Sequence, residues 1–314
     1  MQLKLNLSTF LFSVTIFLFS AGTLAAQCTF TPTDIVFGSV ETLTSGNTDI
    51  SGNINVSCGN GLLGRATATI SASIGSAGAN GTARQMSSGT TSTLGFQLYR
   101  EASRTTIFGT NGDGFGGQPI FYTGGTTLLG GGSEMIPFFG RVFGGQSLTV
   151  PGTYQSQITL NIQYQTCVLL LLCTNFTTQT AFLVTAQVQE QCILSATDMD
   201  FGSVGLLSSN VDTTGNLNVL CTPLTNFQIS LDDGVNASAA LDRKMQGSNG
   251  SLISYNLFLD NARTALWGSI LSVNTLADIG SGTTDVFPIY GRVPPQTTPM
   301  AGIYTDTIIV TLTY

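Results

Sequence analysis

Five blocks of sequence occur twice, in the same order, along a chain of 314 residues. "CTFTPTDIVFGSV" at Cys28 returns as "CILSATDMDFGSV" at Cys192, and "GNINVSC" ending at Cys58 returns as "GNLNVLC" ending at Cys221. "FQLYREASRTTIFG" from Phe96 matches "YNLFLDNARTALWG" from Tyr255, and "FGRV" at Phe139 matches "YGRV" at Tyr290. The last pair is "PGTYQSQITLNIQY", ending at Tyr164, and "AGIYTDTIIVTLTY", ending at Tyr314. Self-similarity at a fixed order marks a duplication, and the period is far too long for a solenoid repeat, so each copy is a domain with a core of its own.

Within a copy the pattern is that of strands. Ile158, Leu160, Ile162 and Tyr164 alternate with Thr159, Asn161 and Gln163; less cleanly, Ile308, Val310, Leu312 and Tyr314 alternate with Thr307, Ile309, Thr311 and Thr313. Side chains on a strand point to opposite faces in turn, so a period of two with a polar outer face means a half-buried antiparallel strand. With frequent glycine and no sustained helical period, the chain is expected to be all-β, as two tandem sandwich domains.

The chain opens with "MQLK", an apolar run "LNLSTFLFSVTIFLFS" and the small residues "AGTLAA". That order predicts a secretory signal peptide over residues 1–26, followed by domains over 27–190 and 191–314. All six cysteines, Cys28, Cys58, Cys167, Cys173, Cys192 and Cys221, lie beyond the leader. An even count in an exported chain points to three disulfides, and metal ligation is disfavoured because histidine and CxxC pairs are absent. Equivalent cysteines (Cys28 with Cys58, Cys192 with Cys221) would tie the first strand of each copy to the second.

Composition excludes several functions. Charged residues make up 9% of the chain and the net charge is -7; such a surface repels nucleic acid and anionic lipid. No charge occurs from Val142 to Gln189. Without histidine, a serine or cysteine nucleophile has no imidazole base. The carboxylate pairs Asp198/Asp200 and Asp232/Asp233 read as solvated surface, so neither an enzyme nor a cofactor is expected. Arg104 and Arg263 recur at matched positions and are expected to be structural.

The "FGSV" after the first cysteine, the "NVxC", the "RxxxWG"-like block and the "YGRVPPQ…AGIYTDTIIVTLTY" ending together resemble the spore coat U domain of archaic, Csu-type chaperone–usher pili. The resemblance covers both copies. It implies an incomplete immunoglobulin-like fold lacking its final strand, which a periplasmic pilus chaperone, and then the N-terminal segment of the next pilin subunit, supplies on the way through an outer-membrane usher. The second copy ends its match at Tyr314, so Ile308, Val310, Leu312 and Tyr314 would form the edge that takes the donor. The first copy runs on into "TTQTAFLVTAQVQ", where Phe182, Val184, Ala186 and Val188 alternate as one more strand, and it is expected to complete itself. Only one or two residues would precede Cys28 after cleavage. A subunit of that kind accepts a strand without giving one, which implies a place at the pilus tip and the role of an adhesin in attachment and biofilm formation. A cap or coat protein without a binding site is the bland alternative.

Leucine marks the expected contact surface. Leu62 and Leu63 sit in "CGNGLLGR", Leu128 and Leu129 in "GGTTLLGGG", and Val168, Leu169, Leu170, Leu171 and Leu172 in "CVLLLLC". The second copy has no clear counterpart to these leucines. Leucines set among glycines suggest projecting turns, and exposed apolar patches usually mark interaction sites. The expected partner is a hydrophobic or abiotic surface. A polar, carbohydrate-binding alternative rests on Asn111, Asp113, Gln118, Phe121 and Tyr122 in the loop "GTNGDGFGGQPIFYTGG".

Overall fold

The computed structural model describes residues 27–59, 64–110, 113–125, 132–168 and 172–314; the expected leader and the leucines at 62, 63, 128, 129 and 169–171 lie outside them. The described residues form strands and no helix. In chain order the first copy gives β1 Cys28–Pro32, β2 Ile35–Val40, β3 Thr48–Cys58, β4 Arg65–Ala72, β5 Ala79–Asn80, β6 Ala83–Ser87, β7 Thr93–Tyr99, β8 Ile120–Gly125, β9 Ser133–Val142, β10 Gly152–Val168 and β11 Leu172–Val188. The second copy gives β12 Cys192–Ala196, β13 Val211–Cys221, β14 Asn226–Leu231, β15 Lys244–Gly247, β16 Leu252–Ser254, β17 Asn256–Phe258, β18 Leu276–Ile279, β19 Thr284–Val293, β20 Tyr304–Thr305 and β21 Val310–Thr313.

Strands β1-β3-β9-β7-β6 make one layer of the first sandwich, and β8-β4-β10-β11-β2 make the other. Inward residues from both layers meet: Ile54, Phe96 and Phe138 face Ile35, Ile158, Leu160, Phe182 and Val184, all nearly free of solvent. The Phe138 and Phe182 rings sit 5.1 Å apart. In the second copy β12-β13-β19-β17 forms one sheet and β18-β14-β21 another, around Leu217, Val219, Ile229, Leu257 and Trp267. The cysteines pair as Cys28–Cys58, Cys192–Cys221 and Cys167–Cys173. The first two each link the opening strand of a copy to its neighbour.

The repeated motifs have physical reasons. The glycine of "FGSV" turns with a positive φ in both copies, +70° at Gly38 and +75° at Gly202, where a side chain would be strained. The glycine of "FGRV" and "YGRV" makes room for an aromatic ring. A Cβ at Gly140 would lie 2.9 Å from Phe37 Cζ, and one at Gly291 would lie 3.0 Å from Phe201 Cζ. The arginine of the same motif grips a carboxylate with two hydrogen bonds: Arg141 holds Asp49 at 2.7 and 2.9 Å, and Arg292 holds Asp212 at 2.7 and 2.8 Å. These bonds keep both carboxyls below the usual aspartate range against a partial cost of burial. Arg104 and Arg263 add a second cation to each pair, with φ of 54° and 60°. Arg263 also donates to the carbonyls of Gly291, Asn261 and Thr213, so its work is structural.

The last strand of the second copy differs from expectation. The alternation predicts one strand up to Tyr314, yet β20 and β21 are separated by Asp306–Ile309. Asp306 stands where the first copy has Ser156. Its carboxylate accepts bonds from Tyr255 Oη (2.8 Å) and from the Val235 N–H (3.0 Å). The Ile309 N–H donates to Asp232 Oδ1 at 2.9 Å. Side-chain bonds thus hold most of this segment, and of the backbone bonds the Asp232 N–H to the Ile309 carbonyl remains at 3.1 Å. Burial, and then Asp306, raise the pKa of the Tyr255 hydroxyl, so it stays protonated as donor.

Candidate functional site, an uncovered strand groove

The two copies bury the same strand differently. In the first, β10 pairs along its whole length with β11, and β11 pairs in parallel with β2, Val184 opposite Ile35 and Val188 opposite Val40. Ile158, Leu160 and Ile162 are consequently sealed, and Tyr164 is 7% exposed. In the second copy β21 pairs with β14 on one side, and no described strand lies on the other. Ile308, Val310 and Leu312 are only half-buried, and Tyr314 is 56% exposed. The segment matching β2 is not a strand, and Val204 is 44% exposed where its counterpart Val40 is fully buried.

Between that segment and the Met300–Tyr304 stretch lies a groove of about 650 Å³. Met199, Phe201, Leu207, Met245 and Ile253 form its apolar floor; Met300 and Ile303 stand exposed at its lip. The corresponding space in the first copy is filled by Val184, Ala186 and Val188 of β11, which are buried against Ile35 and Tyr154. Three methionines in one apolar groove suit it to varied side chains, because the unbranched thioether adapts its shape. Sequence patterning singled out Ile308, Val310, Leu312 and Tyr314 but missed this opposite wall, whose signal was the repeated "FGSV".

A buried arginine supports each copy from beneath. Arg84 donates to the carbonyls of Ser73 (2.9 Å) and Phe108 (2.8 Å) and to Gln97 Oε1, and burial lowers its pKa to about 10. Arg243 takes the matched place, donating to the carbonyls of Asp232 and Trp267.

At the other end of the first sandwich, strand register gathers the mouths of the three leucine-bearing loops. Arg65 pairs with Cys167 on one side and Gly125 on the other, and the Cys58 N–H donates to the Gly132 carbonyl at 3.0 Å. The described residues that flank 60–63, 126–131 and 169–171 therefore lie together at one end of the sandwich. Val168 closes β10, and Leu172, which opens β11, is 70% exposed. Cys167 and Cys173 are directly paired across the hairpin, so their disulfide clamps its turn.

The carbohydrate alternative finds less support. Asp113 spends its carboxylate within its own loop, accepting N–H bonds from Thr110, Phe115 and Gly117. Burial opposes its charge, but these bonds and Arg84 hold its carboxyl below the normal range. Asn111 lies outside the described residues; Gln118 and Phe121 are exposed.

Comparison with known proteins agrees with this architecture. The fold is similar to the crystal structure of the CsuC–CsuE chaperone–tip adhesion subunit pre-assembly complex from archaic chaperone–usher Csu pili of Acinetobacter baumannii, with a TM-score of 0.54 at 15% identity, covering 92% of this chain and 100% of that one. The CupB6 tip adhesin from Pseudomonas aeruginosa is more distant, at a TM-score of 0.37 and 12% identity over 92% of this chain and 94% of that one. Protein U of Myxococcus xanthus is 32% identical over 107 residues, which are 32% of this chain and 59% of that protein, so the chain spans somewhat over half of the relative's length. The family model described as Spore Coat Protein U domain matches residues 9–161 and again 178–311. Both repeats are thereby accounted for: the chain belongs to the Spore Coat Protein U domain family.

Proposed function

We propose that this protein is a subunit of a chaperone–usher pilus, of the tip-adhesin kind, exported through the periplasm and displayed at the cell surface. Its second domain takes a strand from another protein, and its first domain makes contact with a surface. The observation that carries the reading is the contrast between matched strands: Ile158, Leu160, Ile162 and Tyr164 are sealed by β11, while Ile308, Val310, Leu312 and Tyr314 wait uncovered beside an apolar groove. An exposed sheet edge next to such a groove favours strand addition, in which main-chain bonds supply affinity and alternate side chains fill pockets. A periplasmic pilus chaperone and then a neighbouring pilin would occupy the groove in turn, with an outer-membrane usher directing the exchange. The similar Acinetobacter complex, which joins a chaperone to a tip subunit before assembly, supports the same order. No catalytic role is included in this reading.

Co-expression with a pilus chaperone tests the groove. The full chain is expected to copurify as a one-to-one complex, and Val310→Asp or Phe201→Asp should abolish that complex. Asn161→Asp, on the outer face of the completed first domain, should leave it intact. A chain that is stable alone and never retains the chaperone would refute the reading.

The surface contact rests on the shared end of the three loops. Each fully buried leucine contributes about 1.5–3 kcal/mol, so partial burial of several leucines suffices for a weak contact that many pili reinforce. Replacing Leu169, Leu170, Leu171 and Leu172 by serine is expected to lower attachment to polystyrene, and the biofilm that follows, while pilus assembly is unchanged. Equal attachment by equally piliated cells would count against the loops.

A further inference from the structure

The edge of β11 is open over half its length. β2 covers only Val184–Val188, and beyond it Asp34 Oδ1 accepts the Leu183 N–H at 2.8 Å. That N–H points away from β10, and in an antiparallel ladder every second residue does the same. Cys173, Asn175, Thr177, Gln179 and Ala181 accordingly turn their N–H and C=O groups outward, and none has a backbone partner on that side among the described residues. Proteins usually blunt such edges with lysine, proline or a bulge. Residues 173–181 contain no charge, proline or glycine, and the register shift of β11 lies further on, between Thr185 and Gln187.

The template is also rigid. Residues 172–179 are exposed apart from Phe176, while β10 beside them is held in the sandwich by its pairing with β4. Phe176 stacks on Tyr164 with centroids 5.0 Å apart, and Gln165 Nε2 donates to Asn175 Oδ1 at 2.9 Å. Gln179 Nε2 donates to Asn161 Oδ1 at 2.6 Å, while the disulfide closes the turn.

We infer that this edge pairs with the same edge of a second copy, antiparallel, about a two-fold axis at Thr177. That register sets outward residues against outward residues and allows about ten new N–H···O bonds. Asn175 of one copy then faces Gln179 of the other, Thr174 faces Thr180, and Phe176 faces Thr178, all favourable or neutral cross-strand pairs. The electrostatics select a second copy. A net negative chain normally resists self-association, but this hairpin lies in the uncharged stretch from Val142 to Gln189, so like charges never meet at the seam. The result is tip-to-tip joining of two chains, independent of the groove in the second domain.

The test is sedimentation velocity on the full chain over a concentration series, with hydrogen exchange read peptide by peptide. Expected is a reversible dimer in which exchange across residues 172–182 slows as concentration rises. Thr177→Pro removes an N–H that bonds none of the described residues and should weaken the dimer about ten-fold or more. Thr177→Lys, which sets two ammonium groups across the two-fold, should weaken it most at low salt. Thr67→Lys, on the outer face of β4, should not. A chain that stays monomeric overturns the inference. So does a dimer insensitive to both Thr177 variants, or one whose slowed exchange falls at residues 308–314 instead, which would place association at the groove.

Discussion

Appending a copy of Ala181–Val188 behind Tyr314 through a short flexible linker stabilises the second domain by about 4 kcal/mol. With a linker long enough to turn back from Tyr314, the added strand would lie along residues 302–309 as Ala181–Val188 lie along 152–159, setting Phe182-, Val184- and Ala186-type side chains opposite Ile308, Asp306 and Tyr304 and over the floor of Met199 and Phe201. A short linker supplies an effective concentration on the order of millimolar, and for a strand of roughly micromolar affinity that is about a thousand times Kd, or about 4 kcal/mol. For a domain of this size the midpoint should rise by roughly 10–20 °C. The readout is clean because Trp267 is the only tryptophan and is fully buried in the second core. Its fluorescence follows that domain alone. An unchanged tryptophan transition in the fusion would contradict the assignment of the groove.

Trp267→Ala gives the largest loss. The ring fills the centre of the second core, and its Nε1 donates to the Ile229 carbonyl at 2.9 Å. Removing it leaves a cavity and an unpaired carbonyl, at a cost of about 3–5 kcal/mol. Domains typically have only about 5–15 kcal/mol in hand, and this one lacks a covering strand, so it should unfold at ordinary temperature. The first domain, with its own core, should persist. Limited proteolysis should then leave a resistant fragment spanning Cys28 to Val188, whereas loss of both domains together would show that they fold as one unit.

Much of this architecture was legible in the residues. The duplication, the alternating strands and the extra strand of the first copy all follow from local order, because pleat and period are properties of neighbours in sequence. Three features were not. The switch of the first chain segment from β3 in one layer to β11 in the other depends on Gly38 and on a parallel pairing to a strand far away in sequence. The break at Asp306–Ile309 arises from bonds to Asp232, Val235 and Tyr255, partners that no local pattern reveals. The end to which the loop of Leu128 and Leu129 belongs is a matter of register, set by Arg65 lying between Gly125 and Cys167. Motif order named the groove's edge; only packing exposed its second wall.

The course of β11 has a mechanical consequence. Its backbone runs unbroken from Leu172, beside the Cys167–Cys173 disulfide, to Val188, and four residues later β12 begins the second domain at Cys192. Tension entering at the start of β11 passes to the second domain along the covalent bonds of that one strand. Tension entering at 60–63 or 126–131 must instead cross from β3, β4, β8 or β9 to β11 through hydrogen bonds and side-chain packing. The first domain therefore offers load two kinds of route, one through covalent bonds alone and one that yields when the sandwich does.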